Sequence, residues 1–348
     1  MRKILAIDAG GTSTRAVLLD SSGACSGFGR AGAGNPTAVG AAAAVDALGL
    51  AAERALGKRG VETPDRDSLV VIALAGNATA PFLVLLEERL AAIGLGGRTI
   101  IEPDLLGTFC SGTALGDGHA VIAGTGAIAA RVVGGQIHTV KGGSGWLLGD
   151  TGSGFWIGQQ VARAVVASLD GLGPPTALTQ LLLEATGIER TDAQTRGRSE
   201  ELSRLVHELY ALRPVELARF APLAFDAVDT TATPARPDAV ARDILDAAAA
   251  GIGRVLAAAL EPVADGVIVP GVIVLGGSVL AAGLARVPSI FTHRLQAVVG
   301  DAQLVPVEDG IVGAAVLAFR HLGVEVDDAL HRRLTAEVSR ARARAVVR

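Results

Sequence analysis

The chain has 348 residues, a length at which one hydrophobic core usually gives way to two, so two lobes are expected. Half of the residues are apolar, 19% are charged and the net charge is -4, which leaves no basic footprint for nucleic acid or an anionic membrane. The expected partner is a small molecule.

The first apolar run, Ile4-Leu5-Ala6-Ile7, ends on Asp8 and has no small-residue cleavage pattern, so it does not read as a secretory signal. Long apolar stretches such as Gly266 to Leu280 carry Gly and Pro and fall short of the roughly 18 residues that a membrane span needs. They read as buried strands. Cys25 and Cys110 are the only cysteines and lie far apart, which speaks against a disulfide framework or a Cys-built metal site and fits a reducing, cytoplasmic location. His119, His138, His207, His293, His321 and His331 show no metal-ligand spacing, so each is expected at the surface or as a cap.

In chain order, a strand from Lys3 to Asp8 meets Ala9-Gly10-Gly11-Thr12-Ser13 and resumes from Thr14 to Leu19, the pattern of a glycine-turned hairpin. A helix from Thr37 to Leu56, a strand from Ser68 to Leu74, a helix near Pro81 to Leu90 and a strand from Arg98 to Ile101 follow. The hairpin device then recurs: Ala120 to Ala123, Gly124-Thr125-Gly126-Ala127, and Ile128 to Val133 closed by Gly134-Gly135. A Gly-rich loop from Gly142 to Gly154 leads into helical patterns at Phe155 to Ser168, Ala177 to Ala185, Glu200 to Tyr210 and Pro214 to Ala227, an all-helical insert. Thr230 to Pro237 is a break before a helix from Asp238 to Leu260 and a buried strand from Val267 to Leu275. The last helix, Asp327 to Val347, carries Leu330, Leu334 and Val338 on one face and Arg340, Arg342 and Arg344 along its end, read as a solvated terminus.

Neither a Walker loop nor a Rossmann fingerprint is present: Gly57-Lys58 is followed by Arg59, and Gly29 to Gly34 lacks the flanking strand and helix. Glycine hairpins can hold phosphate instead, because the backbone approaches an anion closely and successive N–H groups and Thr hydroxyls donate to it. Two facing hairpins would clamp a triphosphate. Asp8, beside the first of them, is costly next to phosphates unless a divalent cation lies between, so it is assigned to magnesium through water. The alternative is a carboxylate that caps the turn.

Together these stretches resemble the phosphate-1 (Ile7 to Thr14), phosphate-2 (Gly124-Thr125-Gly126) and adenosine (Val272 to Ser278, with Gly276, Gly277 and Ser278) motifs of the superfamily of sugar kinases, heat-shock chaperones and actin. Gly149-Asp150-Thr151-Gly152-Ser153-Gly154-Phe155-Trp156-Ile157-Gly158 narrows the resemblance to the N-acetylglucosamine kinase and BadF/BadG/BcrA/BcrD ATPase family. That resemblance implies an α/β chain of two actin-like, ribonuclease H-like lobes with a cleft between them and a helical insert in the second. Residues 1–115 with the C-terminal helix 325–348 would form one lobe and residues 116–324, with an insert at about 155–235, the other.

The resemblance also implies ATP as co-substrate and transfer of its γ-phosphoryl group to an amino sugar. ATP would lie against Gly10, Gly11, Thr12, Ser13, Thr14, Gly124, Thr125, Gly126, Gly276, Gly277 and Ser278. Asp104, in Ile101-Glu102-Pro103-Asp104-Leu105, matches the family's catalytic base. A carboxylate opening a helix is held ionised by the dipole and can accept a hydroxyl proton, although a plain helix cap is the alternative. Asn35 matches a sugar-contacting asparagine and equally reads as an N-cap before Pro36. Asp150 would bind sugar hydroxyls, or stand as a solvated loop charge.

Ser144 and Gly145 belong to the same sugar loop. Where many relatives resemble Gly-Trp-Gly, this chain reads Gly143-Ser144-Gly145-Trp146, and Thr151 stands where they have glutamate. Losing an aromatic wall at position 144 weakens contact with an acetyl methyl, which favours glucosamine over N-acetylglucosamine. Trp146 either lines the site or packs in the core. The family also contains activators of radical dehydratases, which need cluster-ligating cysteines that Cys25 and Cys110 are poorly placed to supply. A DNA-binding regulator of the same fold is disfavoured because strand one starts at Lys3. A homodimer is the working expectation for the assembly.

Overall fold

The computed structural model describes residues 3–57, 67–228, 237–260 and 271–346. The first sheet opens with the meander β1 (Ile4–Ala9), β2 (Thr14–Leu19) and β3 (Cys25–Ala31). Helices α1 (Pro36–Val39) and α2 (Ala41–Leu56) lead to β4 (Leu69–Leu74), and α3 (Ala80–Ala92) leads to β5 (Arg98–Pro103). Both later strands are parallel to β1, in the order β3-β2-β1-β4-β5.

After α4 (Asp104–Gly112), the second sheet repeats the plan with the meander β6 (Gly118–Ala123), β7 (Ala127–Val133) and β8 (Gln136–Gly142). A helical stretch follows: α5 (Gly145–Leu148), α6 (Gly154–Leu169) and α7 (Leu178–Thr186), a ribbon of β9 (Gln194–Thr195) and β10 (Arg198–Ser199), α8 (Glu200–Ala211), α9 (Ala221–Val228) and α10 (Ala239–Leu260). Then come β11 (Val272–Gly276), α11 (Ser278–Arg286), α12 (Pro288–Val299), β12 (Gln303–Pro306), α13 (Ile311–His321) and α14 (Asp328–Val346). The second sheet runs β8-β7-β6-β11-β12, the same order as the first, with β11 and β12 parallel to β6. Two five-stranded mixed sheets of this order are the actin-like, ribonuclease H-like architecture that the family resemblance implies.

Side-chain alternation sorts the strands between three cores. Leu5 and Ile7 of β1 face Leu48, Phe82 and Leu86 of the outer helices, whereas Ile4 and Ala6 face a middle core with Phe109, Val274, Phe319 and Leu334. On β11, Val272 and Val274 enter that middle core, while Ile273 and Leu275 face α6, α10 and α12. Central strands β1 and β4 are buried throughout because both faces are covered. The chain exchanges helices between sheets: α4 lies against β6 and β11, and α13 lies against β1 and β4. Where α4 and α13 cross, their backbones touch. A Cβ on Gly313 would stand 1.7 Å from the Gly107 carbonyl, and the Gly313 N–H, an unpaired donor of the first helical turn, donates to Ser111 Oγ at 2.8 Å.

Several sequence expectations are corrected. The helix foreseen from Thr37 to Leu56 breaks at Gly40, whose φ of 86° ends α1 before α2 begins. Pro214–Phe220 is a 3-10 segment rather than the first half of an α-helix. The insert is not wholly helical, since β9 and β10 interrupt it. The loop after Gly142 holds the one-turn helix α5. His119 is buried at 2% exposure on β6 rather than at the surface. Lys58, Arg59, the foreseen break at Thr230 to Ala235 and Arg236, and the first residues of the strand expected from Val267 lie outside the described residues. No helix among the described residues is long and apolar enough to cross a membrane.

Candidate functional site

The two glycine hairpins face one another. In the first, Gly10 N–H closes the turn on Ser13 O at 3.0 Å, and in the second Gly124 N–H closes on Gly126 O at 3.0 Å. Thr12 and Thr125, at the two tips, bring their hydroxyl oxygens to 3.5 Å. The N-terminus of α6 is tied to the second tip, with Gly154 N–H donating to Gly124 O at 2.6 Å and Phe155 N–H to Thr125 O at 3.3 Å. Gly277, at φ 95°, turns directly beneath Ala123 and Gly124 and starts α11.

A cleft of about 450 Å³ opens from this junction. At the hairpin end it is bordered by Gly11, Thr12, Gly124, Thr125 and Gly154, all rich in backbone donors. At the far end Val279, Ala282, Pro222 and Phe225 give an apolar slot, with Arg286 5.9 Å above the Phe225 ring and paired to Asp226 at 2.9 Å. Of the residues foreseen for ATP, Ser278 lines this cleft. Gly126 lies just below the second tip, against Asp150. Ser13 and Thr14 are turned inward, and the Thr14 hydroxyl donates to Gly32 O at 2.9 Å. Gly276 packs against Thr108 of α4 instead of the cleft. Phe225, Arg219 and Arg286 were missed, because no motif marks a wall assembled from the 3-10 segment, α9 and α11.

Asp8 and Asp104 come together at the base of the first hairpin. Asp8 is 7% exposed, and its carboxyl is raised from 3.8 to about 7 by burial first, then by the Asp309 and Asp104 charges, against the lowering pull of Arg15 and the Gly310 amide. Arg15 is its cross-strand partner in the β1–β2 register and its guanidinium lies 3.3 Å from Asp8 Oδ2. Asp104 is the first residue of α4 and accepts the Leu105 N–H at 2.9 Å. Its carboxyl is raised from 3.8 to about 6, because burial outweighs its backbone hydrogen bonds. Burial thus works against the helix N-terminus that was expected to hold it ionised, and a carboxylate titrating near 6 is still mostly ionised at neutral pH, close to the value that suits a general base.

Among the described residues no group of three or more acidic, His or Cys side chains is arranged as a metal cage. Asp8 nevertheless fits magnesium, which takes one or two carboxylates and completes its shell with phosphate oxygens and water. A desolvated carboxylate crowded by two others also calls for a cation.

The remaining foreseen residues are dispersed around the second hairpin and the first loop. Asn35 caps α1, its Oδ1 accepting from Thr37 N–H at 2.9 Å and Ala38 N–H at 3.3 Å, so only its amide N–H groups are left to offer. The Gly34 N–H donates to Gly10 O at 3.0 Å, which holds this loop beside the first hairpin. Asp150, at φ 58°, is not a solvated loop charge: its Oδ1 accepts the Ala127 N–H at 3.2 Å and burial raises its carboxyl. Ser144 precedes α5 without capping it and is exposed with Gly145 beside it. Trp146 is not a core residue. It is 43% exposed and leans one edge on Phe155 with ring centroids 5.8 Å apart.

Two like five-stranded sheets, each opening with a glycine-turned hairpin and with the two hairpin tips in contact, define an actin-like fold. The chain belongs to the BadF/BadG/BcrA/BcrD ATPase family, whose profile matches residues 5–318. It is similar to the N-acetyl-D-glucosamine kinase of Dictyostelium discoideum, 34% identical over 109 residues, which cover 31% of this chain and 32% of that protein. It is also similar to the glucosamine kinase of Vibrio cholerae, 30% identical over 188 residues, covering 53% of this chain and 61% of that one. The match thus spans less than two thirds of either relative. A solved Chromobacterium violaceum protein, provisionally named an N-acetylglucosamine kinase, shares the fold with a TM-score of 0.67 at 24% identity, over 91% of this chain and 99% of that one.

Proposed function

We propose that the chain is an ATP-dependent amino-sugar kinase that moves the γ-phosphoryl group of ATP to the 6-hydroxyl of glucosamine. The observation that carries this reading is the 3.5 Å approach of Thr12 and Thr125 at two glycine tips, with the buried Asp104 carboxyl close enough to Asp8, on the strand that leads into the first tip, for their charges to interact. The names of the curated relatives, one for glucosamine and one for its N-acetyl derivative, support the substrate class.

In this mechanism the backbone N–H groups of both tips and the Thr12 and Thr125 hydroxyls cradle the phosphates, and the base lies in the slot between Val279 and Phe225. Asp8 would hold a magnesium ion, which would supply positive charge against the phosphate oxygens. Asp104 accepts the proton of the sugar 6-hydroxyl as that oxygen attacks the γ-phosphorus, and its titration near 6 leaves it mostly ionised at neutral pH. The amide of Asn35 and the loop of Ser144 and Gly145 contact the sugar, and the lobes, residues 1–115 with 325–348 and residues 116–324, close to exclude water. The active species is a homodimer, which sedimentation would test.

The preference for glucosamine follows from serine at position 144, where an aromatic wall for an acetyl methyl is absent. The alternative, N-acetylglucosamine, is favoured by the exposed Trp146 two residues on, which offers an apolar face nearby. The deciding experiment is ADP release with glucosamine, N-acetylglucosamine and neutral hexoses at equal concentration. A higher kcat/KM for the acetylated sugar overturns the glucosamine assignment, and no turnover with any of them overturns the kinase reading.

A further inference from the structure

The arginines near the end of α14 were expected as a solvated tail, and Arg340 and Arg344 are exposed, Arg340 pairing with Glu337 at the surface. Arg344 donates to the Cys25 carbonyl at 3.0 Å. Arg342 turns inward: its side chain is 22% exposed and reaches Asp309 at 2.6 Å as well as Glu308. Asp309, whose side chain is 5% exposed, accepts the Ile311 N–H at 3.1 Å and lies 2.9 Å from Arg15 Nε. Arg15 in turn reaches Asp8. A continuous line of charges, Arg342, Asp309, Arg15 and Asp8, therefore runs from the last helix to the first hairpin.

This line is built, not incidental. Arg15 is placed by the β1–β2 register, Asp309 by the turn that enters α13, and Arg342 by its position 5.7 Å from the Phe28 ring of β3. Arg342 Nε is buried with no hydrogen-bond partner among the described residues, an unfavourable arrangement that packing alone does not require. Asp309 faces two guanidinium groups and a backbone donor, so its charge is matched and its position fixed. Fixing Asp309 fixes the Arg15 guanidinium, which would otherwise sample many rotamers, and Arg15 then orients Asp8 before any ligand arrives. Asp8 itself keeps a single, longer ion pair at 3.3 Å and so remains the carboxylate able to take a further cation.

We propose that Arg342 and Asp309 are positioning residues that act through Arg15 to hold the Asp8 carboxylate for the magnesium ion accompanying the nucleotide, making the last helix part of the phosphate site. This rests on the kinase reading of the cleft. The order of contacts gives the consequence: losing Arg342 frees Asp309 to draw Arg15 to itself, and Asp8 loses its orientation while the hairpin backbone that holds phosphate is untouched.

The test is calorimetric titration of the full chain with ADP, at a series of magnesium concentrations and in excess chelator, with a melting curve for each variant. Arg342→Ala and Asp309→Asn should raise the magnesium concentration at half effect by about tenfold, as supporting residues around a metal ligand do. Their ADP affinity in chelator should stay within about twofold of wild type, because the hairpin donors are unchanged. Arg342→Lys, which keeps the charge but cannot bridge two carboxylates, should fall between, and it carries the test together with Asp309→Asn if Arg342→Ala does not fold. Arg340→Ala, on the same helix, should match wild type. Folded variants with the wild-type magnesium midpoint overturn the proposal, as does an equal loss of ADP affinity with and without magnesium. If the wild type takes up no ADP even with magnesium, the kinase reading falls and this proposal with it; if only the variants fail to differ, the kinase reading stands.

Discussion

Asp104 opens α4, where a helix dipole favours the charged form, yet burial is the larger influence and lifts its carboxyl to about 6. The sign of the stability effect follows. The folded state holds this proton more tightly than an unfolded chain with the ordinary value of 3.8, so stability falls as pH rises from about 4 to 6, and the whole penalty stands above that window. Asp104→Asn should therefore melt higher than wild type at pH 7.5, by an amount on the order of 3 kcal/mol, with the difference vanishing near pH 4. The same change should lower kcat by about 10²–10⁴-fold with ADP binding retained. A variant that is both active and no more stable would remove Asp104 as base. The pH profile of kcat/KM in the wild type should carry an acidic limb near 6, and a limb near 4 would show that Asp104 is not desolvated in the free enzyme. At this scale the sequence was readable where a motif brackets the residue: Asp8 and Asp104 were visible, and Arg15 could have been found from the tight turn, which sets Asp8 opposite Arg15. Asp309 was not, because it follows a short strand, Gln303–Pro306, too weakly patterned to locate.

Elements that carry an apolar run, such as β1, β4 and α10, were legible, and those whose pattern is erased by their own packing were not. β3 reads Cys-Ser-Gly-Phe-Gly-Arg-Ala with no alternation because α2 lies directly on it: a Cβ on Gly27 would stand 1.8 Å from the Ala55 carbonyl. β8 is an exposed edge whose residues are mostly polar. The crossing of α4 and α13 gives a direct test of such contacts. In an open helix Gly→Ala stabilises by about 1 kcal/mol through propensity, whereas at Gly313 the added methyl meets the Gly107 carbonyl at 1.7 Å. Gly313→Ala should therefore destabilise, by about 1–3 kcal/mol, as overpacking does. A variant more stable than wild type in denaturant titration would mean that the two helices separate readily.

At the scale of the whole molecule, the repeated hairpin announced two like sheets, but the exchange of helices between them was invisible to periodicity, since α4 and α13 are amphipathic whichever sheet they cover. That exchange has a thermodynamic consequence. The middle core draws Ile4 and Val71 from the first sheet, Val274 and Ala130 from the second, and Phe109 and Phe319 from the exchanged helices, so neither sheet can unfold without exposing apolar surface on the other. Differential scanning calorimetry of the free chain should accordingly give one cooperative transition, unlike the two expected of lobes joined only by linkers. Because the proposed phosphate clamp takes one hairpin from each sheet, magnesium-ADP should raise that transition as a unit, by about 2.7 kcal/mol at a hundredfold excess over its Kd. Two resolved transitions, only one of which moved with nucleotide, would show that the middle core does not couple the sheets and that the clamp closes from one side.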